Sequence, residues 1–109
     1  MTRRPPSCHA ELLAAMPERE LQREVAELAK LFGWLAYHTW RSDHSPAGFP
    51  DLVLVRGDRI IFAELKAKGN VPTEAQMGWL IALQATKKVE TYLWYPYDRD
   101  EIERVLRKG

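Results

Sequence analysis

A single cysteine, Cys8, stands in the 109 residues. No disulfide can therefore form within the chain, and a reducing compartment is expected. Cys8 and its neighbour His9 have no companion cluster of ligating residues, which argues against a structural zinc. Long apolar runs are missing too: none approaches the roughly 20 residues of a membrane span. Met1 to Ala10 is basic but lacks the apolar core of a secretory signal, so a cytoplasmic protein is expected. Net charge is only +1. No global field marks a nucleic-acid partner, although a groove can still be locally basic. Repeats, low-complexity tracts and any sequence-reading module such as a zinc finger are absent.

What remains reads as one modest domain. Residues 1–17 are expected to form a loose arm and a short helix (Ala10 to Met16), interrupted by Pro17. Residues 18–109 form the domain proper. Leu21, Val25, Leu28 and Phe32 recur at helical spacing and predict a helix over Glu18 to Phe32, ended by Gly33. Trp34 to Trp40 reads as a strand, and Arg41 to Pro50 as a polar loop. Two apolar runs, Asp51 to Val55 and Ile60 to Ala67, flank Arg56-Gly57-Asp58-Arg59 and predict a hairpin. Both faces of that hairpin are apolar, which places it inside a sheet covered by helices. Thr73-Glu74-Ala75-Gln76 opens a second helix with a capping-box pattern. Val89 to Tyr95 is a last strand, stopped by Pro96. Asp98 is expected to cap a final helix that buries Ile102, Val105 and Leu106. The order α-β-β-β-α-β-α predicts an α/β fold with a central mixed sheet of about four strands.

The chemistry lies at the open end of the hairpin. With Gly57-Asp58 as the turn, facing residues have numbers that sum to 115, so Asp51 meets Glu64. Two carboxylates about 5 Å apart across a strand pair destabilise each other. They must share a proton or hold a cation. Lys66 falls on the same strand face as Glu64 and sets an ammonium beside the acids. Magnesium takes hard oxygen ligands and keeps several waters, so Asp51, Glu64 and the backbone carbonyl of Leu65 would suffice for one ion. Such an ion makes a nucleophilic water at neutral pH, and Lys66 can orient that water and offset phosphate charge. This is a kit for metal-dependent phosphodiester hydrolysis.

Pro50-Asp51 followed by Glu64-Leu65-Lys66 resembles the PD-(D/E)XK nuclease superfamily, whose core shares this element order. Within it, Glu20, Gly48-Phe49-Pro50-Asp51, Glu64-Leu65-Lys66 and Thr73-Glu74-Ala75-Gln76 resemble the VRR-Nuc family, in its small stand-alone phage and prophage form. That resemblance implies a restriction-endonuclease-like core and a bacterial or phage-infected cytosol. It makes Glu20, Asp51 and Glu64 the ligands of Mg2+ or Mn2+, Lys66 catalytic, and Gln76 a residue at the edge of the site. Glu20 is preferred to Glu18 because it directly precedes Leu21-Gln22, as in the family. The resemblance further implies a homodimer acting on Holliday-junction-like DNA, with no organic cofactor and no membrane.

Bland readings stand beside these. Lys66 can serve Glu64 as a structural salt bridge, Glu20 can be a helix-start acid, and Gln76 can simply complete the box with Thr73. Arg41, His44 and Lys68 are candidates for nucleic-acid contact on loops around the site. The expected function is a metal-dependent DNA endonuclease selecting branched, flapped or junction substrates. A non-catalytic nucleic-acid-binding module, an RNA nuclease and an interaction domain with a buried charge network are the alternatives.

Overall fold

The computed structural model describes residues 15–39 and 44–109. The expected N-terminal arm, almost all of its short helix, Trp40 and Arg41 lie outside them. The described elements are α1 (Glu18–Leu31), β1 (Leu35–His38), β2 (Leu52–Arg56), β3 (Arg59–Leu65), α2 (Glu74–Ala85), β4 (Glu90–Trp94), a 3-10 turn (Pro96–Asp98) and α3 (Arg99–Arg107). The four strands form one sheet in the order β1-β2-β3-β4. The first three are antiparallel, and β4 runs parallel to β3. This is the expected mixed α/β arrangement.

The hairpin register follows from its turn. Val53 faces Phe62 and Arg56 faces Arg59. Gly57 has φ +61°, the conformation that a two-residue turn with glycine first requires. One face of the sheet carries Leu52, Leu54, Ile61, Ala63, Leu65 and Trp94. They pack with Leu21, Val25 and Ala29 of α1 and Ile102 and Leu106 of α3 into one buried core.

The other face departs from the expectation of full cover. Among the described residues only α2 lies there, where Phe49 packs edge-on against both Phe62 and Trp79, at 5.9 and 5.2 Å between ring centroids. Leu35 and Tyr37 of β1 remain 75% and 63% exposed, and Val55 and Ile60 are exposed beside them. One helix is about 10 Å wide and cannot cover four strands, whose axes at about 4.8 Å spacing span roughly 14 Å. The cap of the last helix also differs. The Asp98 carboxylate makes no cap bond to α3; it accepts the Tyr95 N–H at 2.9 Å and closes the 3-10 turn behind it.

At the turn end of the hairpin, Arg56 and Arg59 lie over the Trp34 ring at 4.6 and 4.8 Å. The Trp34 indole donates to the Leu106 carbonyl at 2.8 Å. Arg56 donates to the Phe32 and Leu106 carbonyls, and both arginines donate to that of Lys108. Two guanidiniums thus satisfy helix-end carbonyls that would otherwise lack partners. Arg59 also grips Glu90 through two 2.7 Å bonds, a fork-to-carboxylate geometry stronger than a neutral hydrogen bond.

At the opposite end the loop before β2 is pressed onto α2. Gly48 has φ +99°, and a Cβ there would lie 2.5 Å from the Ala75 carbonyl carbon. Only glycine fits both the backbone angle and the space. Gly48→Ala should therefore lower unfolding free energy by at least about 2 kcal/mol, measured by urea denaturation; an unchanged midpoint would show that the loop is not clamped.

Candidate active site

Asp51 is held by its backbone and by its side chain. Its carbonyl accepts the Thr39 N–H at 2.8 Å. The Thr39 hydroxyl donates to the neighbouring Pro50 carbonyl, also at 2.8 Å. Asp51 Oδ2 accepts the Leu65 N–H at 2.9 Å, so the carboxylate is tied to the strand that carries Glu64. The register that pairs Leu52 with Ala63 makes Asp51 and Glu64 the next facing positions.

Glu64 is fully buried. Neither of its carboxylate oxygens receives a directed hydrogen bond. Lys66 Nζ stands 3.2 Å from Glu64 Oε2, as an ion pair rather than a well-aligned donor. The same ammonium lies 3.6 Å from Glu18 Oε1. One oxygen each from Glu18, Asp51 and Glu64 come within 4.8 Å of one another. The site is therefore three carboxylates around one lysine, built by the first turn of α1 and the open end of the hairpin.

Charge and burial act on this group together. Burial, and then the nearby Asp51 charge, push the Glu64 carboxyl up to about 7, against the opposing pull of Lys66. For Lys66 burial works downwards, but Glu64, Glu18 and Asp51 together outweigh it and hold the amine above the ordinary lysine range. Lys66 is thus an ammonium at neutral pH.

The first helix supplies Glu18 rather than Glu20. Glu18 lies three residues before Leu21 and so continues the stripe of Leu21 and Val25 that faces the sheet. Glu20 is two residues on, about 200° around the helix, and is exposed. Helical phase, which the buried stripe already contains, is what sets Glu18 rather than Glu20 beside Asp51 and Glu64. Gln76 is occupied elsewhere: its Oε1 accepts the Thr73 N–H at 2.8 Å, while Thr73 Oγ1 accepts the Gln76 N–H at 3.1 Å. Leu65 ends β3 with its N–H given to Asp51. His44 and Lys68 are exposed, and Arg41 lies outside the described residues. His38 Nε2 pairs with Gln22 Oε1 at 2.8 Å.

The donor set fits a hard divalent ion. Among the described residues three carboxylates converge without cysteine or histidine, which favours magnesium or manganese over zinc. The buried Glu64 oxygens, with no directed donor, are the groups an ion would satisfy.

No protein-family model matches the chain, and no curated protein sequence matches it. Among solved structures the chain is similar to Archaeoglobus fulgidus Hjc, a Holliday junction resolvase from an archaeal hyperthermophile. The TM-score is 0.52 at 21% identity, and the match covers 67% of this chain and 62% of that one. This chain thus spans somewhat less than two thirds of its neighbour's length. At this identity the likeness establishes the architecture: a restriction-endonuclease-like α/β fold with a mixed four-stranded sheet. Among the described residues no helix is long and apolar enough to cross a membrane.

Two stability measurements check the site. The folded Glu64 carboxyl titrates above its ordinary value of 4.5, so its contribution to stability is present below that value and is lost as pH rises towards 7. Metal-free protein should lose up to about 3 kcal/mol across this window. Glu64→Gln should flatten that dependence and raise the melting temperature at pH 8. Magnesium or manganese should also raise the melting temperature at pH 8 by binding the folded state. Glu18→Gln should remove that ion-dependent rise and Glu20→Gln should keep it; the reverse pattern would return the ligand role to Glu20.

Proposed function

We propose that this chain is a divalent-metal-dependent endonuclease that hydrolyses phosphodiester bonds in branched DNA, with four-way junctions as its preferred class. The carrying observation is the buried Glu64 carboxylate, held among Asp51, Glu18 and the Lys66 ammonium without a directed hydrogen-bond donor. The fold shared with a Holliday junction resolvase supports the choice of substrate. The Gly48 to Asp51 and Glu64 to Lys66 segments support a VRR-Nuc-like domain over residues 18–109, with Glu18 taking the place expected of Glu20.

Glu18, Asp51, Glu64 and the Leu65 carbonyl would hold the ion. When bound, it supplies Lewis acidity towards phosphate oxygen and a water acidic enough to ionise at neutral pH. Asp51, fixed through Leu65 N–H and Thr39, keeps its carboxylate in place before substrate arrives. Such preorganisation lowers the reorganisation needed in the transition state. Lys66, kept protonated by its carboxylate neighbours, donates to the attacking water or the scissile phosphate and offsets developing negative charge. Gln76 acts at a distance by fixing the start of α2, on which the Gly48 loop packs. Arg41, His44 and Lys68 contact the phosphate backbone on either side.

A two-fold homodimer would set two such sites on the arms of a junction. The bare apolar patch of Leu35, Tyr37, Val55 and Ile60 supports a second copy as a partner. The lone Cys8 supports a cytoplasmic setting.

The test is cleavage of labelled duplex, flap, four-way junction and RNA, with magnesium, manganese or chelator. Junction cutting that requires the ion is expected; RNA cutting in preference to DNA would change the polymer, and binding without cutting would leave a docking module. Glu64→Ala should abolish cleavage while the protein stays folded, and full activity in that variant would end the proposal. Lys66→Ala should lower turnover by about 100-fold or more yet shift ion affinity by less than about threefold. Loss of ion binding in calorimetry would instead make Lys66 a structural counter-ion.

A further inference from the structure

Just past the end of β4 lies a pair of stacked tyrosines that the proposed chemistry does not use. The Tyr95 and Tyr97 rings are parallel within 4°, with centroids 5.2 Å apart. Tyr97 is 60% exposed although one face of its ring is covered by Tyr95, so the other face is open. The pair is fixed from several sides. The Tyr95 hydroxyl donates to the Asn70 carbonyl at 2.8 Å, Asp98 accepts the Tyr95 N–H, and Pro96, which links the two tyrosines in sequence, is buried.

Register places Tyr95 across from Lys66. Leu65 pairs with Trp94 across the parallel strands, and the Lys66 N–H donates to the Trp94 carbonyl at 3.0 Å. Lys66 and Tyr95 are the next residues on each strand, and Tyr95 keeps an extended backbone (φ −117°, ψ 165°). Neighbouring strands lie about 4.8 Å apart and paired side chains share a face. Tyr95 therefore leaves the sheet on the side where Lys66 meets Glu64. Asn70, which holds the Tyr95 hydroxyl, belongs to the same loop as Lys68.

We infer that Tyr97, backed by Tyr95, is a stacking platform for an unpaired nucleobase next to the phosphate held at Lys66. This rests on the DNA-cleavage reading above and deepens it, because it gives a physical basis for preferring branched substrates. Every base has a π face, and a rigid exposed ring stacks on it without reading its edges. In a continuous duplex both faces of each base are already stacked on neighbours. At a flap or junction a base is free to leave the stack, and only there can it cover Tyr97. The phenol ring is held in advance by Tyr95, so little freedom is lost when a base lands on it.

The experiment uses the full chain in chelator, where DNA is bound but not cut. The probes are a flap carrying 2-aminopurine at its branch-point base and a blunt duplex of the same sequence. Wild type should quench the 2-aminopurine emission on binding. Tyr97→Ala should lose the quench and bind the flap about tenfold more weakly, with duplex affinity within about twofold of wild type. Tyr97→Phe, which keeps the ring, should retain both properties and shows that loss in the alanine variant is not misfolding. Unchanged quench and affinity in Tyr97→Ala, or an equal loss on duplex and flap, would overturn the platform. Adding magnesium then tests cleavage separately: a protein that quenches but never cuts keeps the platform and loses the nuclease reading. One that cuts through Glu64 without any quench does the reverse.

Discussion

The fold is organised around a carboxylate placed where water cannot solvate it. Isolated, a buried ionised Glu64 would cost several kcal/mol. The chain offsets part of this with Lys66 at 3.2 Å, yet adds Asp51 and Glu18 to the same space. Acids therefore outnumber the lysine three to one. The surrounding architecture keeps this imbalance from relaxing. The hairpin register fixes Asp51 opposite Glu64, the Leu65 N–H ties the two strands through the Asp51 carboxylate, and Thr39 pins the Pro50 and Asp51 carbonyls. The result is a rigid cluster of acids at one end of a sheet, held against its own repulsion by the surrounding structure.

Much of this was legible in the residues because two strong periodicities carry it. A two-residue turn at Gly57-Asp58 and a period of two fix every facing pair of the hairpin, Asp51 and Glu64 included. The capping box at Thr73 and Gln76 was equally explicit, and the structure spends Gln76 on it. The choice between Glu18 and Glu20 was open to the same reasoning. Both satisfy the positive end of the helix dipole, and only rotation around the helix relative to Leu21 separates them. A motif spacing outweighed that phase in the sequence reading, and the structure follows the phase.

Other features depend on tertiary facts that no local pattern contains. Apolar residues on both faces of β2 and β3 ordinarily mean cover on both sides, but whether one helix is wide enough is a matter of packing. Val55 and Ile60 therefore read as core and stand exposed. Asp98 precedes a helix and looks like its cap, yet the buried Pro96 bends the chain so that its carboxylate turns back to Tyr95. The roles of Trp34, Arg56 and Arg59 were invisible because their partners, the carbonyls of residues 105–108, are about 50 to 70 positions away.

That arginine clamp also sets the polarity of the molecule. The last turn of α3 is fastened beneath the hairpin turn, whereas Asp51 and Glu64 each stand five strand residues from the clamping Arg56 and Arg59. At about 3.3 Å per residue the two poles are some 17 Å apart. A fluorophore attached beside Lys108 would consequently ride on an anchored segment remote from the acidic pole. It would serve as a fixed origin for energy-transfer rulers without perturbing the acids it observes.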